Sequence, residues 1–169
     1  TYYAISVRLG VLDVGSNTVH LVAVDAATGG RPTPMSDWKT PLRLVEQLDK
    51  KGNIHEKGVK KLVSAVAEAS ELGDKLGCAE FIAFATSAVR SAPNSEAVLD
   101  EVEKQTGVRL QILSGVEEAQ LTFLAARRWY GWSAGRITNL DIGGGSLELS
   151  TGTDEHPDLA SPSTWVLAG

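Results

Sequence analysis

Cysteine is almost absent from this chain, which has one cysteine, Cys78, among 169 residues. A single cysteine excludes an intrachain disulfide, and no cysteine–histidine pair has the spacing of a zinc site. Because Cys78 comes just before an apolar segment, we expect it to be a small buried hydrophobic side chain. The sequence also lacks an apolar run of the roughly 18–20 residues that span a bilayer, and it lacks a signal-peptide pattern. We therefore expect a cytoplasmic protein.

Positive charge is also scarce, because 16 Lys and Arg stand against 21 Asp and Glu, for a formal net charge of −5. The basic residues form no dense run, which argues against sequence-independent binding to nucleic acid. An anionic substrate must then be held by local groups, such as backbone N–H groups, a few cations or a metal. Hydrophobic residues make up 43% of the chain, a share that is typical of a globular domain.

The spacing of apolar residues predicts an α/β chain. Strands are predicted at 8–14 and 18–25, and an irregular third strand at 33–46 contains prolines. Apolar residues then recur at three- and four-residue steps over 55–76, which predicts a helix that ends at Gly77. The remaining predicted elements are a strand at 79–85, a helix from Asn94 to about Gln105, a strand at 108–113, a helix from Ser114 to about Trp129, and strands at 136–142 and 147–150.

The predicted order is βββαβαβα followed by two further strands. This order indicates an α/β fold with a mixed sheet flanked by helices. Residues 1–130 are predicted to form one lobe, and residues 131–169 are predicted to begin a second.

Two glycine-rich loops repeat one pattern in the two predicted lobes. Residues 12–17 read Leu-Asp-Val-Gly-Ser-Asn and residues 140–146 read Leu-Asp-Ile-Gly-Gly-Gly-Ser, and each loop joins two strands. Glycine lets the backbone approach an anion, and successive N–H groups in such a turn form an anion-binding concavity. Asp13 and Asp141 lie beside these turns, where a carboxylate holds hydrated Mg²⁺ or orients a water. One copy would be explained as a tight hairpin, whereas two copies favour a phosphate clamp with one jaw on each lobe.

Neither loop has a common nucleotide-binding signature. The dinucleotide signature needs G-x-G-x-x-G between a strand and a helix, whereas each loop here leads into another strand. No G-x-x-x-x-G-K-[ST] sequence occurs, which excludes a P-loop.

Four motifs occur in an order and spacing that resemble a known family. They are Asp13–Asn17, Thr86–Arg90, Ser114–Ala119 and Asp141–Glu148. Together they resemble the exopolyphosphatase/guanosine pentaphosphate phosphohydrolase (Ppx/GppA) family of the actin-like ATPase superfamily. The resemblance covers about residues 8–160. Within the family, the sequence is most similar to the actinobacterial exopolyphosphatases.

This resemblance implies a fold, a reaction and partners. The implied fold has two ribonuclease-H-like lobes with the active site in the cleft between them. The implied reaction is hydrolysis of the terminal phosphate of polyphosphate, or of the pentaphosphate alarmone, with Mg²⁺. A homodimer is implied by the resemblance alone. The second lobe would continue past residue 169, so we expect this chain by itself to lack activity, and residues 1–7 and 161–169 match nothing expected of the family.

The resemblance also implies roles for single residues. Glu118 is the expected general base that activates water, and Asp141 and Glu148 are the expected acids of catalysis and metal binding. Asp13 is expected to be a further metal ligand. The expected phosphate-binding residues are Ser16, Asn17, Arg90, Gly143, Gly144, Gly145 and Ser146.

Spacing alone offers plainer explanations for two of these motifs. Ser114 and Glu117 match a helix capping box, and Glu118 is not needed for that cap. An arginine after a strand, such as Arg90, is usually solvated, although its planar guanidinium suits bidentate contact with phosphate.

Three other functions stay open from the sequence: hydrolysis of guanosine pentaphosphate, phosphate or polyphosphate binding without turnover, and ATP-dependent transfer by a kinase of the same superfamily. The Thr86–Arg90 and Glu117–Ala119 motifs argue against the kinase, since they supply a base for water.

Overall fold

The computed structural model describes residues 6–27, 32–144 and 146–164. The chain divides into two compact units, residues 1–111 and 112–169. The predicted boundary between lobes, at residues 130 and 131, refers to the complete family fold and stays a prediction. Within the described residues, no helix is long and apolar enough to cross a membrane.

The first unit is built on a five-stranded sheet with the strand order β3-β2-β1-β4-β5. Its strands are β1 (Ser6–Val14), β2 (Thr18–Ala27), β3 (Thr33–Pro41), β4 (Glu80–Ala85) and β5 (Gln111–Ile112), and its helices are α1 (Glu56–Lys75), α2 (Ser87–Arg90) and α3 (Ser95–Thr106). The β1–β2 and β2–β3 pairs are antiparallel, whereas β1 and β4 are parallel. The prediction of a mixed sheet with flanking helices is therefore confirmed.

The core of this unit lies between the sheet and α1. Leu12 of β1 and Val19 of β2 have no exposed surface, and neither do Leu62 and Val66 of α1. Burial of each aliphatic side chain of this size stabilises the fold by about 1.5–3 kcal/mol. The apolar stripe predicted from the spacing of 55–76 is thus the buried face of α1.

Phe81 of β4 fills the space beside two glycines. A Cβ atom at Gly10 would lie 2.7 Å from the ring, and one at Gly73 would lie 2.9 Å from it. Gly10 is also the register partner of Phe81 across the parallel β1–β4 pair. Cys78, next to this cluster, is half-buried rather than fully buried as predicted, and burial raises the pKa of its thiol.

The second unit contains a three-stranded antiparallel sheet and one long helix. Its strands are β6 (Ile137–Ile142), β7 (Ser146–Gly152) and β8 (Leu159–Thr164), in that spatial order, and α4 (Gly115–Tyr130) contacts all three. Helix α4 begins with the predicted capping box: the Glu117 N–H donates to Ser114 Oγ at 3.2 Å, and the Ser114 N–H donates to Glu117 Oε2 at 2.8 Å. These hydrogen bonds hold the pKa of the Glu117 carboxyl below its usual range.

Several predicted boundaries were wrong. The strand predicted at 108–113 is only the two-residue β5, and the strand predicted at 33–46 stops at Pro41, with a 3-10 turn at Leu44–Gln47. Asn94 precedes α3 as predicted, but its side chain does not cap the helix. Instead it exchanges two hydrogen bonds with the backbone of Ile54, at 2.9 and 3.0 Å, which satisfies the N–H and carbonyl groups of that residue.

Candidate functional site

The first glycine-rich loop connects β1 to β2 and is fixed through its carbonyl groups. The Gly15 N–H donates to the Thr18 carbonyl at 2.9 Å, which closes the turn. The N–H groups of residues 42 and 43 donate to the Asn17 carbonyl at 2.7 and 3.0 Å, and that of residue 44 donates to the Ser16 carbonyl at 2.7 Å. The loop therefore has a fixed backbone before any ligand binds.

Arg43 has an unusual backbone conformation that makes this attachment possible. Its φ is 51°, the one positive value for a non-glycine residue in the described ranges. This left-handed conformation costs about 1–3 kcal/mol and persists only where the surroundings impose it. Leu42 and Leu44, on either side, have no exposed surface, so their burial holds the segment against the loop.

Residues Ser87–Arg90 of the Thr86–Arg90 motif form the short helix α2. The Thr86 N–H donates to the Val14 carbonyl at 3.1 Å, which places the start of α2 at the end of β1. Ser87 Oγ lies 2.9 Å from Ser16 Oγ, and both residues are 5% exposed. Arg90, at the end of α2, is half-buried.

The first unit thus brings together four of the predicted site residues. Ser16 and Asn17 lie in the loop, Asp13 lies on β1 just before it, and Arg90 lies on the helix that contacts Ser16 through Ser87. Asn17 and Asp13 are exposed, whereas Ser16 is buried.

The second glycine-rich loop connects β6 to β7. The Gly143 N–H donates to the Ser146 carbonyl at 2.9 Å, the same closure that Gly15 makes in the first loop. Gly143 and Gly144 are exposed, whereas Ser146 is 4% exposed at the start of β7. Gly145, also predicted to bind phosphate, lies outside the described residues. An exposed turn of small residues allows an anion to approach the backbone closely.

Two carboxylates face each other directly behind this loop. Asp141 of β6 and Glu148 of β7 are register partners across the antiparallel pair, so their Cβ atoms lie on one face about 4.5–5.5 Å apart. Glu148 is 1% exposed, and neither of its carboxylate oxygens has a hydrogen-bond partner among the described residues. A buried carboxylate without donors is costly, and a cation would compensate for it.

Asp141 and Glu148 are the residues of this loop region that could hold a hydrated magnesium ion. No three His, Cys, Asp or Glu side chains come together as a metal site in the ranges that the structure describes. Mg²⁺ keeps several waters and usually binds through one or two carboxylates together with substrate phosphates. Asp141 and Glu148 supply that number of carboxylates.

Glu118 lies in the first turn of α4 and is half-buried. One turn later, Thr122 donates to the Glu118 carbonyl at 3.0 Å and accepts from the Asn139 side chain at 3.3 Å. Asn139 lies two residues before Asp141 on the same face of β6. The second unit therefore holds Glu118, Asp141 and Glu148 on elements that are joined by hydrogen bonds.

Arg127 is a buried residue whose importance the sequence pattern did not indicate. It has no exposed surface, and its guanidinium donates to the carbonyls of Gly131, Gly135 and Gly152 at 3.3, 2.8 and 2.8 Å. An arginine in the last turn of a helix is ordinarily a solvated cation. The one sequence signal for its burial was its position four residues after Phe123, on the apolar stripe of α4. In the structure its guanidinium lies 5.7 Å from the centre of the Phe123 ring.

Solved structures share the fold of this chain, including the mixed sheet of the first unit. A Ppx/GppA family member of Aquifex aeolicus has the same fold, with a TM-score of 0.82 at 22% identity over 95% of this chain and 52% of that one. An exopolyphosphatase from Cytophaga hutchinsonii matches with a TM-score of 0.85 at 27% identity, over 93% of this chain and 50% of that one. The predicted actin-like ATPase fold is thereby confirmed.

The sequence profile of the Ppx/GppA phosphatase family matches residues 22–163, so the chain belongs to this family. Exopolyphosphatase 1 of Mycobacterium leprae is 64% identical over 153 residues, which are 90% of this chain and 45% of that protein. The predicted resemblance is therefore confirmed, and the chain spans about half the length of the curated relative that it matches.

Proposed function

We propose that the protein containing this chain is an exopolyphosphatase, which releases the terminal phosphate of inorganic polyphosphate. The observation that carries the proposal is the Asp141–Glu148 pair, which lies behind an exposed turn of small residues. Family membership and the name of the mycobacterial relative support this choice of substrate.

Each loop is proposed to bind phosphate oxygens through its backbone and side chains. In the first unit these groups are Ser16, Asn17 and Arg90, and a planar guanidinium is suited to two phosphate oxygens at once. In the second unit they belong to Gly143–Ser146, where the glycines have no side chain and so let a phosphate approach the backbone closely.

Asp141 and Glu148 of the second unit are proposed to hold Mg²⁺, and the role of Asp13 as a metal ligand stays a prediction. The ion would supply positive charge to the terminal phosphates and so stabilise the negative charge of the transition state. The buried oxygens of Glu148 have no hydrogen-bond partner among the described residues, which supports this assignment because a cation would compensate for their burial.

Glu118 is proposed to act as the general base. Its carboxylate takes one proton from a water, and the water oxygen forms a bond to the terminal phosphorus in line with the bridging oxygen. The bond from phosphorus to the bridging oxygen then breaks, and its electron pair leaves on the shortened chain. Positioning and charge stabilisation supply most of the rate acceleration in this type of reaction.

The test measures phosphate release from polyphosphate with Mg²⁺ by the complete gene product, its Glu118→Gln variant and this chain alone. Loss of a general base should lower kcat by about 10²–10⁴-fold with little change in the thermal midpoint. Glu117→Gln is the matched control, because Glu117 serves the capping box and should affect stability more than kcat.

A Glu118→Gln variant with near-normal kcat would eliminate Glu118 as the base. Release from guanosine pentaphosphate but not from polyphosphate would assign the other substrate of the family. If the complete wild-type protein released no phosphate from either, binding without turnover would replace hydrolysis. The cytoplasmic location and the homodimer stay predictions.

A further inference from the structure

The hydroxyl groups of two distant serines form a buried hydrogen bond in the first unit. Ser16 Oγ and Ser87 Oγ are 2.9 Å apart, and 71 positions separate the two residues in the sequence. Both residues are 5% exposed. Ser16 belongs to the first glycine-rich loop, whereas Ser87 is the first residue of α2.

The backbone around Ser16 already has partners, which fixes where its side chain lies. The Ser16 carbonyl accepts from the N–H of Leu44, and the neighbouring Asn17 carbonyl accepts from Leu42 and Arg43. Ser87 is likewise held by its helix, since its carbonyl accepts from the N–H of Ser91 at 3.0 Å. The two hydroxyls therefore meet between backbone segments that are each held by hydrogen bonds.

A pair of hydroxyls shares one proton between its oxygens and has a second proton to donate elsewhere. If Ser16 donates to Ser87, then the outward proton belongs to Ser87. If Ser87 donates to Ser16, then the Ser16 proton points outward. A phosphate oxygen only accepts, so a phosphate bound at the loop requires the second arrangement, in which each hydrogen bond strengthens the other.

We propose that Ser87 is a positioning residue for the phosphate-binding hydroxyl of Ser16. Ser87 donates its proton to Ser16 Oγ, and Ser16 donates its own proton to a phosphate oxygen. This inference rests on the proposed function only in requiring that a phosphate chain binds at the first loop.

A different explanation is that the serine pair only joins the loop to α2. Both explanations predict that removal of the Ser87 hydroxyl lowers stability. They differ in ligand affinity, because backbone hydrogen bonds from residues 42–44 also hold the loop. A contact that only joins the loop to α2 should lower the thermal midpoint of Ser87→Ala and leave its dissociation constant near that of the wild type, whereas a positioning residue should change both, and the dissociation constant only while Ser16 has its hydroxyl.

The experiment is a double-mutant cycle on the complete gene product. The dissociation constant of imidodiphosphate, a short phosphate chain with a non-hydrolysable bridge, is measured with Mg²⁺ by calorimetry. The variants are Ser87→Ala, Ser16→Ala and the double variant, and each thermal midpoint is recorded in parallel. Ser91→Ala, an exposed serine four residues after Ser87, is the matched control.

Ser87→Ala should weaken binding by roughly fivefold to tenfold in the wild-type background and by less than twofold in the Ser16→Ala background. Ser91→Ala should bind like the wild type. Ser87→Cys keeps nearly the same volume but has a weak donor, so it should weaken binding as Ser87→Ala does. Ser87→Cys also decides the question if Ser87→Ala fails to fold.

Equal factors in the two backgrounds, or wild-type affinity in Ser87→Cys, would overturn the role of Ser87. A wild-type protein that binds imidodiphosphate but releases no phosphate from polyphosphate would refute the hydrolase, while the cycle would still decide on Ser87. A wild-type protein that does not bind imidodiphosphate would overturn the inference, since Ser16 would then have no phosphate to contact.

Discussion

At Glu148 the side chain is 1% exposed, and both carboxylate oxygens lack hydrogen-bond partners among the described residues. Its identity as a candidate site residue could be predicted from the motif, but its burial could not. Alternation along β7 predicts that Glu148 shares a face with Ser146 and Ser150, yet it does not say which face α4 covers. That information resides in contacts between elements.

Glu148→Met should stabilise the protein when divalent cations are removed, by about 1–3 kcal/mol, because it removes a buried carboxyl group whose oxygens have no hydrogen-bond partner among the described residues. Mg²⁺ should then raise the thermal midpoint of the wild type but not that of the variant. Thermal unfolding with EDTA or with Mg²⁺ measures both effects, and Glu68→Met on the exposed side of α1 serves as the control. Equal stabilisation of both variants by Mg²⁺ would contradict the proposed ligand.

Arg8 and Asp25 form a bidentate pair across β1 and β2, with N–O distances of 2.7 and 3.0 Å. The hydrogen bonds from Arg8 hold the pKa of Asp25 below its usual range. A lowered folded-state pKa contributes stability above the unfolded value of about 3.9, and this contribution is lost as the pH falls through the folded value.

Asp25→Asn should therefore lower the thermal midpoint at pH 7, and its difference from the wild type should shrink as the pH falls below about 4. Thermal unfolding across this pH range makes the measurement. In an Arg8→Met background the same substitution should show little of this pH dependence. A difference that stays constant down to pH 2 would mean that the ion pair is not its cause.

Among the elements, the helices with local end signals were predicted best. Gly77 and Gly107 follow α1 and α3 with φ values of 73° and 71°, the left-handed conformation that glycine adopts without strain. Helix α2 was missed because its four residues are too few to show a period. Strand β8 was missed because Pro162 interrupts its pattern, which is tolerated here since β8 is an edge strand.

Ser114→Ala should destabilise α4 by about 1 kcal/mol, because the Glu117 N–H loses its acceptor at the helix start. Denaturant unfolding of the variant gives this free energy. Ser114→Asp restores a capping acceptor and should recover most of the loss. If Ser114→Asp were as unstable as Ser114→Ala, the hydrogen bond to Glu117 would not be the source of the stability.

Across the whole molecule, the class of fold could be predicted but the contacts that shape the site could not. Alternation of strands and helices indicated a mixed sheet, and the paired loops indicated phosphate binding. The contacts of Ser16 with Ser87 and of Asn17 with residues 42–44 join segments that are distant in sequence. No local spacing encodes such contacts, because they depend on which strands become neighbours.

The net charge of −5 opposes the approach of a polyanion from solution. Without Mg²⁺, the association rate constant of inorganic tripolyphosphate with this chain should rise as NaCl is added, because salt screens the long-range repulsion. Stopped-flow tryptophan fluorescence measures the rate. Glu68→Lys combined with Asp74→Lys on α1 should raise the rate at low salt, and a rate that falls with salt would show that local positive groups govern association.

The ring of Phe81 lies where side chains at Gly10 and Gly73 would have to be. Three positions on three different elements therefore share one volume, and neither glycine can be enlarged while the ring keeps its place. A larger residue at either glycine would therefore require the ring to move or to be replaced by a smaller side chain. Variation at these positions is thus coupled, although none of them touches a phosphate.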